Sequence, residues 1–245
     1  MDEAARRTHL ARAGRWLALA GLAALVVTIG LGVVGATLGP PLPSPTVAAP
    51  TPGPASILPS PPAHRVVVDP RNQKLTVEPY LVGQLPGAPF EWDQPTSTKG
   101  LFDEAVIGAV TTDAAWKSGE NLPPAIVVAD LDPATVIDGD LPATARGVIA
   151  EFGRRVYQKL IGLKVTDIKS DDPSSIGDHP AQWAHATVTG TMPSGGDEKV
   201  ALSVLLVSLP NGRCFGYIEI RPYHPSATQH FAAMDAAAAS IKASD

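Results

Sequence analysis

The chain has one cysteine, Cys214, among its 245 residues. It can close no disulfide within the chain and supply no all-cysteine zinc site, so the fold must stand on its hydrophobic core. Charge is missing over a long stretch, since no Asp, Glu, Lys or Arg occurs from Trp16 to His64. Positive charge is scarce after the first fifteen residues. Those carry Arg6, Arg7, Arg12 and Arg15 beside Asp2 and Glu3, and subtraction from 19 basic and 24 acidic residues leaves 15 and 22, a net of −7 within the whole-chain −5. A domain this anionic repels phosphate backbones, and no nucleic-acid-binding motif offsets that, so nucleic acid is excluded as the main partner.

Chemical signatures are absent as well. There is no Gly-x-Ser-x-Gly, no Ser-x-x-Lys and no glycine-rich phosphate loop between a strand and a helix. His179, His185, His224 and His230 show no His-x-x-x-His or His-Glu-x-x-His spacing, and Asp130, Asp132, Asp138 and Asp140 lack the spacing and closing glutamate of an EF-hand. Cys214 follows Arg213, but neighbours in a strand point to opposite faces, so the thiol reads as a small core hydrophobe. No catalytic residue, metal ligand or cofactor site is expected, and the chain reads as a binding protein rather than an enzyme.

What is present begins with Trp16 to Gly39, 24 residues without a charge. About 20 apolar residues suffice for a helix to cross a bilayer's hydrocarbon layer. A cleaved secretory signal has an apolar region of roughly 7 to 15 residues, so despite the small residues at Val34-Gly35-Ala36 this run fits an uncleaved anchor better. The four arginines precede it, which predicts a cytoplasmic N-terminus and an exported remainder. His9 occupies the usual apolar position after the arginine pair, so the arginines read as topogenic rather than as a twin-arginine signal. No cysteine ends the run, which excludes a lipobox. Gly35 and Gly39 form a small-xxx-small pair at the end of the span.

Ten of the 25 prolines fall between Pro40 and Pro62. Proline fixes φ and lacks an N–H, so this stretch predicts an extended spacer at about 3.1 Å per residue, reaching up to roughly 70 Å. Ser44, Thr46, Thr51, Ser56 and Ser60 lie among these prolines and are the candidate O-glycosylation sites. The expected organisation is a cytoplasmic basic tail (1–15), a transmembrane helix (16–39), a Pro/Ala-rich linker (40–63) and an extracytoplasmic α+β domain (64–245).

In the domain, Arg65–Asp69 and Ala125–Ala129 are β-branched and strand-like, whereas Leu101–Thr112 fits either a strand pair or a short helix. A helix is predicted from Asp140, a side-chain cap, through Ile149, Phe152, Val156, Leu160 and Ile161, stopped by Gly162. Next comes a meander of Trp183–Thr191, Val200–Leu209 and Arg213–Arg221, turned by Ser194-Gly195-Gly196 and by Pro210-Asn211-Gly212. A closing helix capped by Ser226 places Phe231, Met234, Ala238 and Ile241 on one face. Helices set against an antiparallel sheet define the α+β class.

The last strand mixes arginine with aromatic residues, a composition enriched at interfaces. Arg213, Phe215, Tyr217, Arg221, Tyr223 and His224 are therefore the expected partner-binding residues. The competing reading packs Phe215 and Tyr217 beneath a helix. The alanine-rich closing helix suggests either a groove for an alkyl chain or merely close packing.

The order of apolar segment, Ala/Pro-rich spacer and α+β domain resembles the actinobacterial LpqN/Apa-like family. The residues that carry the resemblance are Ala125 to Asp132, the helix from Thr144 to Leu160 with Glu151-Phe152 and Val156-Tyr157, Arg213-Cys214-Phe215, and Ala236 to Ile241. It spans roughly 100 to 241, and its motifs are patterns of elements rather than catalytic signatures. It implies a PsbP-like fold and a role at the plasma membrane, either binding an envelope lipid or glycolipid in biogenesis or transport, or docking on an integral membrane transporter or complex; a surface adhesin is a further reading. Cys214 stands where the adhesin branch has an aromatic residue, and the missing lipobox separates this chain from LpqN in anchoring.

Overall fold

The computed structural model describes residues 65–98, 100–111, 122–210 and 212–244. The expected tail, membrane span, linker and O-glycosylation sites all lie outside the described residues. Among those described, no helix is long and apolar enough to cross a membrane.

The chain runs β1 (Arg65–Asp69), β2 (Lys74–Glu78), β3 (Leu81–Gln84), β4 (Phe90–Trp92), β5 (Thr96–Thr98), β6 (Phe102–Val110), β7 (Ala125–Leu131), helix α1 (Leu141–Val156), β8 (Ile161–Ser170), β9 (Ser174–Ile176), β10 (His179–Thr191), β11 (Asp197–Ser208), β12 (Cys214–Pro222), helices α2 (Pro225–Thr228) and α3 (Phe231–Ala239), and β13 (Lys242–Ala243). The ambiguous 101–112 segment is thus mainly a strand. Nine strands form a large antiparallel sheet with the path β4-β6-β7-β12-β11-β10-β8, and β1-β2-β3-β13 form a small one.

The meander supplies the middle of the large sheet. β11 pairs with β12 so that Leu202 meets Ile220, Val204 meets Ile218 and Leu205 meets Tyr217. Because side chains alternate across a strand, the sheet builds two cores. Val127, Val188, Leu202, Val204 and Ile218 pack with Ile149 and Phe152 of α1 on one face. On the other, Val128, Leu205, Val207, Phe215 and Tyr217 pack with Val66, Leu75 and Val77 of the small sheet and with Met234 of α3. β7 is buried along its whole length, as a strand covered on both faces must be. The α+β class is observed, but helices do not cover both faces, since the second is closed largely by the small sheet.

α1 begins as its sequence dictates. Asp140 Oδ1 accepts from the Ala143 N–H at 2.8 Å, and Pro142 lies in the first turn, where no donor is wasted. Gly153 lets the helix approach the sheet: a Cβ there would lie 3.2–3.3 Å from Val188, Leu202 and Val165. Asp140→Ala is expected to cost about 1 kcal/mol of unfolding free energy, measured by urea denaturation, with the denaturant slope unchanged.

The helix ends at Val156 rather than continuing through Leu160 to Gly162. Leu160 is still buried in the α1 core, but it sits in a turn closed by its N–H donating to Tyr157 O, and Ile161 opens β8. Gly162 has φ +67°, and one extra β8 residue separates the pairs Thr189–Lys164 and Thr191–Ile161. The glycine therefore serves a bulge and is not a helix stop. The closing helix is likewise two pieces: Ser226 lies inside α2, where its hydroxyl is 2.8 Å from His224 Nδ1, and His230 precedes α3.

Candidate functional site

β12 lies in the centre of the large sheet, between β7 and β11, and is not an edge. Its alternation sends Cys214, Ile218 and Ile220 into the α1 core and Phe215 and Tyr217 into the core under the small sheet. Phe215 and Tyr217 are fully buried and offer no surface to a partner, which corrects the expectation for these two. The cause is burial of both faces of a central strand. The Tyr217 hydroxyl donates to Met234 O at 3.1 Å, joining β12 to α3.

The remaining expected residues separate into two groups. Arg213 precedes β12 and its Nη2 donates to both Asp103 and Asp130, so it ties β6, β7 and β12 together at one end of the sheet. Arg221 stands eight residues further on, about 26 Å away at strand rise. There its Nη2 donates to Glu219 Oε2 at 2.6 Å and to Asp235 on α3, and its guanidinium lies 5.3 Å from the Phe231 ring centroid. Tyr223 is exposed, with the Lys199 ammonium 4.6 Å from its ring centroid, and His224 is half-buried beside Ser226. Arg221, Tyr223 and His224 therefore share one end of the sheet, and Arg213 does not belong with them.

Between the two ends, level with Phe215 to Glu219, a cleft of about 410 Å³ opens between α3, β9 and the sheet, lined by Ser174, Ser175, Trp183, Leu205, Glu219, Asp235 and Ala238 among others. The chain places it here because the small sheet and α3 cover only part of this face of β10–β12. It is the groove sought beside the alanine-rich helix, but carboxylates enter it, so it is not an apolar tunnel. Glu219 is 3% exposed, and its Oε1 has no hydrogen-bond partner among the described residues. Burial pushes the Glu219 carboxyl above its usual range, with the Arg221 charge opposing the rise. With Glu219 and Asp235 ionised, two carboxylates face one guanidinium, and the cluster carries one net negative charge.

Beside the cleft, Trp183 stacks on His185 with ring centroids 6.2 Å apart, and the His185 ring nitrogens lie 3.0 Å from Ser203 Oγ and 3.1 Å from Asp171 Oδ2. Among the described residues, no three His, Cys, Asp or Glu side chains gather in a way that could hold a metal ion. Cys214 is buried, and burial pushes its thiol up to about 11. The signal for the cleft was a glutamate inside the otherwise apolar Cys214–Ile220 run, two residues before an arginine.

No family model matches the chain, and no curated protein matches it. Among solved structures it is similar to LpqN of Mycobacterium tuberculosis, described as involved in cell envelope biogenesis, at 14% identity, covering 65% of this chain and 82% of that one with a TM-score of 0.35. It is similar to the Ran-binding protein Mog1p of Saccharomyces cerevisiae at 11% identity, covering 75% and 96% with a TM-score of 0.38. It is also similar to the cyanobacterial PsbP of Synechocystis sp. PCC 6803 at 7% identity, covering 77% and 96% with a TM-score of 0.41.

Proposed function

We propose that the chain is a membrane-anchored binding protein of the cell envelope, with its N-terminus in the cytoplasm and its α+β domain outside, held off the membrane by a proline-rich spacer. The observation that carries this is the charge-free Trp16–Gly39 run, preceded by four arginines and followed by ten prolines from Pro40 to Pro62. The role in the envelope follows the LpqN/Apa-like resemblance of Ala125 to Asp132 and of the helix from Thr144.

The domain acts by holding a partner and not by chemistry. Glu219 and Asp235 share Arg221, and among the described residues no nucleophile and base are paired between them. Within binding functions, an accessory factor that meets an envelope lipid or glycolipid is the leading reading, the cleft taking a polar headgroup. Docking on an integral membrane transporter or complex is the second, favoured by exposed Tyr223 beside Lys199.

Crosslinking in intact cells, followed by detergent extraction and analysis of both co-purifying lipids and proteins, tests the binding role. A lipid or glycolipid in defined ratio supports the first reading and a single membrane protein supports the second. Recovery of the chain alone contradicts both.

A further inference from the structure

We propose that the rim of the large sheet where β8 and β11 begin and β10 and β12 end docks on an anionic lipid bilayer. This rests on the membrane-anchored reading and adds the surface by which the domain meets the lipid.

Strand pairing fixes what stands at this rim. Thr189 of β10 pairs with Lys164 of β8 and Lys199 of β11, so both lysines share its face, two strand spacings or about 10 Å apart. The Tyr223 N–H donates to Lys199 O at 2.9 Å, which sets the tyrosine beside that row, and Tyr223 is 63% exposed. One pair nearer the rim, Thr191 meets Ile161, an aliphatic residue that is 64% exposed. On the α1 side of the same rim, Val156, Leu160, Met192 and Pro193 line an apolar groove of about 320 Å³, with the exposed Lys159 in its lining.

The first support is this composition. Exposed apolar side chains next to lysines suit a bilayer interface, where tyrosine sits at headgroup level and lysine keeps its ammonium among water and phosphates. At that depth the turn between β10 and β11 stays hydrated. The second is charge. Lys159, Lys164 and Lys199 are exposed, and among the described residues none meets a carboxylate at ion-pair distance. The rim holds Asp197, which accepts from the Thr191 hydroxyl at 3.1 Å, and the buried Glu198; Glu219 and Asp235 lie further in and share Arg221. On a remainder of net −7, cations gathered at one end turn that end towards an anionic surface, while the rest is repelled. The third is spacing: Lys164 and Lys199 stand apart with Thr189 between them, which suits a layer of headgroups rather than one enclosed anion. A spacer of up to roughly 70 Å lets the domain bring this rim to the bilayer.

The test is reconstitution of the full chain into vesicles of phosphatidylcholine alone or with about a third phosphatidylglycerol, followed by energy transfer from a fluorophore to a headgroup-labelled lipid. The fluorophore is placed on Ser194→Cys, exposed in the turn at this rim, or on Ser175→Cys, exposed on β9 beside Pro180 and about 36 Å from the rim along β10. Phosphatidylglycerol is expected to raise transfer from position 194 at least about twofold and to leave position 175 unchanged. The rise should vanish at about 1 M salt, where the screening length is about 3 Å. Lys159→Gln/Lys164→Gln/Lys199→Gln should abolish it and Ile161→Ser should reduce it; all four side chains are exposed, so these variants keep the fold. Transfer unchanged by phosphatidylglycerol, an equal rise at both positions, or a rise kept by the triple variant overturns the proposal. Failure of the chain to float with phosphatidylcholine vesicles overturns the membrane anchor instead, and the rim is then read by adding both vesicles to the soluble chain.

Discussion

Arg221→Met is expected to destabilise the domain by about 3 kcal/mol at pH 8, because it leaves Glu219 buried as an unpaired carboxylate. The substitution removes the guanidinium that opposes the burial-driven rise of the Glu219 pKa, so that pKa rises further. A carboxyl raised in the folded state keeps its full stability below its unfolded pKa and loses it as pH climbs through the folded value. The deficit of the variant should therefore shrink as pH falls towards about 4.5, where Glu219 is protonated in the folded state and about half-protonated in the unfolded one. Chemical denaturation of wild type, Arg221→Met and Arg221→Met/Glu219→Gln across that range checks it. The double variant is expected to recover most of the loss, and an equal loss at pH 4.5 and pH 8 would show that Arg221 matters through packing on Phe231 instead.

Glu198→Gln is expected to do the opposite and raise stability at pH 8 by about 2 kcal/mol. Glu198 is 7% exposed, on the strand where β11 enters the sheet, and burial alone pushes its carboxyl from 4.5 up to about 7. Its charge adds to the effect of burial in holding the neighbouring Tyr157 hydroxyl far above its usual range. At pH 8 the native state must keep an ionised carboxylate where burial disfavours it, and glutamine removes that requirement. Wild-type stability should fall between about pH 4.5 and 7 while the variant stays flatter there. Thermal unfolding at pH 5 and pH 8 reads this directly, and a variant less stable at both values would refute it.

Much of the sheet was legible because the strands that form its middle are apolar on both faces. Val200–Leu209 could only be central, Asn211-Gly212 could only turn, and Asp140 with Pro142 could only open a helix. The errors arose where one local pattern serves two structures. Val156, Leu160 and Ile161 keep helical spacing, yet Leu160 fills the same core from a turn and Ile161 starts a bulged strand. β2 and β3 are five and four residues of modest hydrophobicity, and what buries Leu75, Val77 and Leu81 is a sheet formed elsewhere in the sequence.

The site was less legible than the fold. Arginine and aromatic residues on one strand face pointed to a surface, but Phe215 and Tyr217 lie under the small sheet and α3, an arrangement no spacing within β12 encodes. Alternation did place Glu219 and Arg221 on their face. That the cover stops short there, opening a cleft with Trp183 and Asp235, depends on residues up to 67 positions apart that line it together. The N-terminal run is delineated by composition alone.

The most direct measurement of the central claim is labelling of Ser194→Cys with a membrane-impermeant maleimide in intact cells of the source organism. Ser194 is exposed in the turn between β10 and β11, while Cys214 is buried with its thiol pushed up to about 11, so the native background should be negligible. The account predicts that Ser194→Cys is labelled without lysis and that the labelled chain stays with membranes after an alkaline carbonate wash. Labelling only after lysis, or release of the labelled chain into the soluble fraction, would contradict an anchored domain outside the membrane.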